Sequence, residues 1–279
     1  MANDRRILVT GATGKQGSAV LSHLRERGFP VRAFTRNPNK PEARALADEG
    51  VEVVGGDLND PQSITRALDG VWGAYSVQAS RTGNEVRQGK LLADAALRAK
   101  LGQFVYSSVS AADKHTGIPH FDTKYEVEDH IRHLGIPATI IRPVFFMENW
   151  LSLKDTLHQG IMPQPLSPDR KLQMIAVDDI GAFVSLAFEK PDHWRGQAFD
   201  LAGDELSMTE LAAQFGRKLG REVRYVQVPW DEFEKRAGKE YATMYRWFED
   251  HGYTCDIAAA RREYPGLHSF ESWLSEAPL

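Results

Sequence analysis

Short apolar runs alternate with amphipathic stretches through the first half of the chain. Ile7-Leu8-Val9 leads into SAVLSHLRERG, whose apolar spacing predicts a helix ending near Gly28. VRAFTR (31–36) reads as a second strand, and PEARALADEG as a helix closed by Gly50. VEVVGGD (51–57) is the third strand. DPQSITRALDG then opens with Asp60 as N-cap and Pro61 at the first helical position. GVWGAYSVQ (70–78) and QFVYSSVS (103–110) flank a helix over 85–100 with apolar Val86, Leu91, Leu92, Ala95 and Ala96, and ATIIRPVFF (138–146) is the sixth strand. Repeated βα units require crossovers and a parallel sheet covered on both faces.

After about residue 150 the rhythm loosens. A helix running to Phe188 is expected to start at Asp178 or Asp179 as N-cap. QAFDLAG and REVRYVQVP read as strands. Ser207 and Glu210 have the spacing of a capping box, and the tail is rich in aromatics. The expected fold class is α/β, a Rossmann-type doubly wound parallel sheet over 1–150. A smaller C-terminal α+β lobe over 151–279 is expected to be partly interleaved with it.

Composition narrows the function. The chain has 279 residues, 42% hydrophobic, and a net charge of −4 with no basic stripe, which argues against direct nucleic-acid binding. One cysteine, Cys255, excludes an internal disulfide framework and a cysteine metal cluster. No metal site is expected. The start has no signal-peptide pattern and no apolar run has membrane-spanning length, so the expectation is a soluble cytoplasmic protein with no membrane partner.

The glycines fall where the first strand meets the first helix: Gly11, Gly14 and Gly17 in TGATGKQG. There the first lets the chain turn, the second lets the backbone reach a pyrophosphate, and the third lets helix and strand pack. The helix N-terminus then offers free N–H groups to the phosphates. The end of the second strand selects the dinucleotide. It carries no carboxylate for a ribose hydroxyl; instead Arg36, nineteen residues beyond Gly17, and Lys40 suit the 2′-phosphate of NADP(H). Asp57 and Leu58 are placed by the adenine. Gln78, Ala79 and Ser80 end the fourth strand on the path to the nicotinamide.

TGATGKQG, TRNP, GDL, EVRQGKLLADAA, HFDTKYEVEDHIR, IRPVFFMEN and VDDIG together resemble the NmrA-like family, an atypical branch of the short-chain dehydrogenases that includes NADP-binding redox sensors. The resemblance covers nearly the whole chain. It implies a Rossmann domain with cofactor contacts from Gly11, Thr13, Gly14, Lys15, Gln16, Gly17, Arg36, Asn37, Lys40, Asp57, Gln78, Lys124 and the stretch Phe146, Met147, Glu148, Asn149. Arg87 stands at a position that is basic in the sensor proteins.

Ordinary short-chain dehydrogenases pair a serine with a tyrosine and a lysine four apart on one helix. Here Ser107 and Ser108 end the fifth strand and Lys124 is present, but the tyrosine position is His120. Tyr125 follows Lys124 directly and points about 100° away on a helix. Three roles stay open. His120 can move a proton, because its ring titrates near neutrality. Lys124 can donate one, as the resemblance to phenylcoumaran and isoflavone reductases suggests. Or Lys124 only holds the nicotinamide ribose. Asp178 and Asp179 read as structural.

Two functions follow. One is an NADP(H)-binding redox sensor with weak or no dehydrogenase activity, acting through a protein partner. The other is an NADPH-dependent reductase of quinones, aldehydes or similar small electrophiles, with a pocket for a flat apolar compound lined by Phe145, Phe146 and Trp150. The sequence is compatible with an oligomer.

Overall fold

The computed structural model describes residues 4–79 and 83–279. The alternating half folds as β1 (Ile7–Thr10), α1 (Lys15–Glu26), β2 (Val31–Thr35), α2 (Pro41–Asp48), β3 (Glu52–Gly55), α3 (Pro61–Leu68), β4 (Gly73–Ser76), α4 (Glu85–Arg98), β5 (Gln103–Ser107), α5 (Pro119–Leu134) and β6 (Ala138–Pro143). The remainder folds as β7 (Phe145–Phe146), α6 (Lys154–His158), β8 (Ile161–Gln164), β9 (Lys171–Ile175), α7 (Val177–Glu189), α8 (Pro191–Trp194), β10 (Ala198–Leu201), β11 (Asp204–Ser207), α9 (Met208–Leu219) and β12 (Arg224–Gln227). It closes with α10 (Trp230–Ala237), α11 (Lys239–Asp250), α12 (Ile257–Glu263) and α13 (Phe270–Glu276).

Two compact units result. The first holds the residues up to Asp113 with His120–Arg142 and Ile180–Phe199; the second holds Lys114–Pro119, Pro143–Asp179 and Asp200–Leu279. The seven-stranded sheet has the order β10-β6-β5-β4-β1-β2-β3. Its strands are parallel, with Ile7 opposite Val31 on one side and Gly73 on the other. The chain therefore reverses its direction of travel across the sheet between β1 and β4. Every residue of β1, β4, β5 and β6 is buried, as parallel strands covered on both faces must be. On one face Leu8, Phe34, Phe104 and Tyr106 share a core with Ile64, Leu92, Val127 and Ile131 of α3, α4 and α5. Elsewhere in this unit α1 is tied to α7 by Arg27, whose guanidinium donates to Ser185 Oγ (2.7 Å) and Glu189 (2.9 Å). Thr10, fully buried, sits one step past the last β1–β4 pairing. Its hydroxyl accepts from Val77 N–H (2.9 Å) and lies 3.1 Å from the Tyr75 and Val77 carbonyls.

Several local signals act as the sequence implies. Asp60 caps α3 through Gln62 N–H, and Ser207 with Glu210 forms a reciprocal capping box on α9. Three expectations change. The sixth strand stops at Pro143, because Phe145 and Phe146 turn away to pair with Met174 and Ile175 of β9 in a separate three-stranded sheet. QAFDLAG supplies the seventh strand of the main sheet. And α7 begins at Val177, so both aspartates lie within its first turn and neither caps it.

Inside the second unit the aromatics form a core. Phe145 stacks near Trp150 (centroids 5.2 Å), Trp150 near Phe215 (6.5 Å) and Phe215 near Phe270 (5.4 Å). Of the three aromatics expected to line a substrate pocket, Trp150 and Phe145 are buried in this packing and Phe146 is half-buried.

Candidate functional site: a dinucleotide cradle

The β1–α1 turn is built from missing side chains. Gly11 has φ +60°, a left-handed conformation that costs other residues energy. A Cβ on Gly17 would lie 2.1 Å from the Gly11 carbonyl oxygen, so any side chain at 17 would push the loop open. Gly14 caps α1 without any side-chain hydrogen bond, and the first turn holds no acid. Its N–H groups and positive dipole end therefore meet no competing side-chain acceptor, which suits an anion. Thr13, Gly14 and Lys15 are exposed around this turn.

Gln16 ties the turn to the strands beside it. Its Oε1 accepts from Tyr75 OH on β4 (3.2 Å) and from Ser107 Oγ on β5 (2.7 Å). Burial pushes the Tyr75 hydroxyl far above its ordinary pKa; the nearby Ser107 opposes this only in part. The Ser107 hydroxyl is committed to an amide oxygen.

Arg36 and Lys40 stand exposed past the end of β2, with no carboxylate partner among the described residues. Asn37 shapes the turn between them by accepting from Asn39 N–H (3.0 Å). Past β3, Asp57 makes a similar turn with Asn59 N–H (2.8 Å), and Leu58 packs against the core. Gln78, just beyond β4, is 7% exposed; its amide donates to Ser76 Oγ (3.0 Å), while its Oε1 is buried without a hydrogen-bond partner. That oxygen faces Gly89 on α4, 3.4 Å from where a Cβ there would lie. Ala79 is exposed and Ser80 lies outside the described residues. Arg87 is exposed on α4, its guanidinium 3.4 Å from the Asn59 carbonyl.

His120 and Lys124 lie one turn apart on α5, both half-buried. The Lys124 ammonium is ion-paired to Glu85, the first residue of α4. Thr123 Oγ1 donates to the other oxygen of the same carboxylate (2.9 Å). Sequence reasoning passed over Glu85. A glutamate at a helix start reads as solvated, and the one available signal, its place directly before an apolar helix face, is faint.

In the second unit Met147 is fully buried, Phe146 and Glu148 are half-buried, and Asn149 is exposed. Glu148 Oε1 accepts from Val177 N–H at the start of α7 and from Trp273 Nε1, both at 3.0 Å. Asp179, wholly buried, accepts from the His268 ring (2.8 Å) and its backbone N–H (3.1 Å). Burial pushes its carboxyl above the ordinary value, and the His268 contacts pull the other way. Asp179 is thus tied to His268 rather than capping the helix, while Asp178 is exposed in the same first turn.

The seven-stranded parallel sheet, the glycine turn and the reversal beside it now have a counterpart. The chain belongs to the NmrA-like family. The family's model matches residues 3–274 of this NmrA-like chain. It is similar to the nitrogen metabolite repression protein nmrA of Emericella nidulans, 32% identical over 246 residues, covering 82% of this chain and 70% of that protein. It is equally similar to an NAD(P)H azoreductase of Xenophilus azovorans, 32% identical over 228 residues, covering 81% and 78%. Among solved structures, an NADPH-dependent quinone oxidoreductase of Escherichia coli complexed with NADPH matches at TM-score 0.84 and 25% identity, covering 96% of this chain and 98% of the other. Among the described residues, no helix is long and apolar enough to cross a membrane.

Proposed function

We propose that this NmrA-like chain binds NADP(H) and acts as a redox-responsive regulator with weak or no turnover of its own. The residues present fit the dinucleotide. The uncapped start of α1 and its glycine turn receive the pyrophosphate. Arg36 and Lys40, exposed and without carboxylate partners among the described residues, take the 2′-phosphate through charge-assisted hydrogen bonds. The open Gln78 oxygen and the Lys124 ammonium serve the nicotinamide end. The family resemblance also implies cofactor contacts from Phe146, Met147, Glu148 and Asn149.

One observation carries the regulatory reading: the groups that would move a proton are engaged or replaced. Ser107 donates to Gln16, His120 stands at the tyrosine position, and Lys124 is paired with Glu85. The Lys124 ammonium is held by a buried carboxylate, which in this reading makes it an anchor rather than a proton source. The azoreductase and quinone oxidoreductase relatives support a second reading. In it bound NADPH supplies a hydride to a small acceptor, and His120 or Lys124 handles the proton.

The test is NADPH binding by fluorescence, followed by NADPH consumption with quinone, azo and aldehyde acceptors. Tight binding without turnover is expected. Turnover that His120→Ala or Lys124→Ala abolishes, with binding retained, would replace the regulator with the reductase.

A further inference from the structure

Glu85 is out of place for a helix-start acid. Such residues face solvent and the positive end of the helix dipole, yet its side chain is only 4% exposed. A buried carboxylate persists only where its oxygens are paired. Among the described residues its two partners are consecutive on α5: the Lys124 ammonium on Oε1 and the Thr123 hydroxyl on Oε2. Lys124 is itself only 14% exposed, so neither charge is left to water. Tyr106, buried on β5, feels the same carboxylate: burial first, and Glu85 after it, push its hydroxyl far above the ordinary range. The Glu85 carboxylate is therefore set deep between α4 and α5, at the first turn of α4.

We propose that Glu85 is the positioning residue for Lys124, holding its ammonium at the place from which it meets the ribose of NADP(H). This rests on the reading above that Lys124 touches the cofactor. A lysine side chain has four rotatable bonds, and fixing its end before the ligand arrives removes an ordering cost from binding. Thr123 holds the second oxygen and keeps the carboxylate from turning away. Glu85 contacts no substrate in this scheme and acts only through Lys124.

The experiment uses the purified full chain and NADPH fluorescence, with melting curves to establish folding. Three variants are compared: Glu85→Asp, Lys124→Met, and the neutral pair Glu85→Gln with Lys124→Met, which removes both charges and leaves no buried ion. Glu85→Asp keeps the charge but withdraws it by one methylene. It is expected to weaken NADPH binding about tenfold and to shift the emission of the bound nicotinamide, as coupled neighbours do. The neutral pair is expected to bind no worse than Lys124→Met alone. The proposal falls if Glu85→Asp binds with wild-type affinity and emission, or if the pair loses substantially more than Lys124→Met. Should Lys124→Met bind like the wild type, the cofactor reading of Lys124 fails, and this proposal fails with it.

Discussion

The β1–α1 turn and the Glu85–Lys124 pair are both polar places in the first unit, made in opposite ways. The turn is made by omission: no Cβ at Gly11 or Gly17, no side-chain cap, no acid in the first helical turn. What remains is backbone N–H pointing outward. The pair is made by addition, with two long side chains from different helices brought to one buried point. The same contrast extends to the second unit, where Glu148 and Trp273, and Asp179 and His268, are additions of the second kind. A site made by omission tolerates loss of neighbours but no added atom. A site made by addition tolerates neither a lost charge nor a shortened reach.

The contrast can be broken most severely at Gly17. Gly17→Ala places a carbon 2.1 Å from a backbone oxygen that no side-chain rotation can relieve. The variant is expected to lose NADPH binding and about 3 kcal/mol of stability in denaturant unfolding. Near-normal stability with near-normal binding would show that the turn has slack. Arg36→Ala tests an addition on the rim of the omission site. Losing a charge-assisted contact of roughly 1.5–3 kcal/mol should cut the preference for NADPH over NADH at least tenfold, with NADH affinity little changed. Equal losses for both nucleotides would place the 2′-phosphate elsewhere.

The smallest effect belongs to Asp179. Burial raises its native pKa from 3.8. The stability due to its proton is therefore complete below that value and is lost as pH rises through the raised native value. Asn cannot lose a proton, so the unfolding free energy of Asp179→Asn should gain on the wild type as pH climbs from about 4 toward neutrality. A gap that stays constant with pH would mean the His268 contacts offset the burial completely.

The same contrast explains what could be read ahead of the structure. Gly11, Gly14, Gly17, Asp60, Ser207 and Glu210 act on residues a few positions away, so short-range spacing is enough to find them. Glu85 meets a lysine 39 positions away, Glu148 a tryptophan 125 away, and Asp179 a histidine 89 away. Burial decides those pairs, and burial depends on topology. The strands that escaped notice carry no clean apolar run: β8 is IMPQ with an internal proline, β9 KLQMI is interrupted by polar residues, and β11 DELS opens on two acids.

Thr10 acts as a fixed gauge. At the reversal between β1 and β4 the crossovers leave in opposite directions, the place where open α/β sheets in general seat their ligands. The regular ladder stops one step short, at Val9 and Tyr75. The Thr10 hydroxyl spans the next step to Val77, where a simple strand end would fray. The spacing of these two strand ends is therefore set by one buried hydroxyl rather than by ladder pairing, and it stays the same however the loops beyond it are drawn.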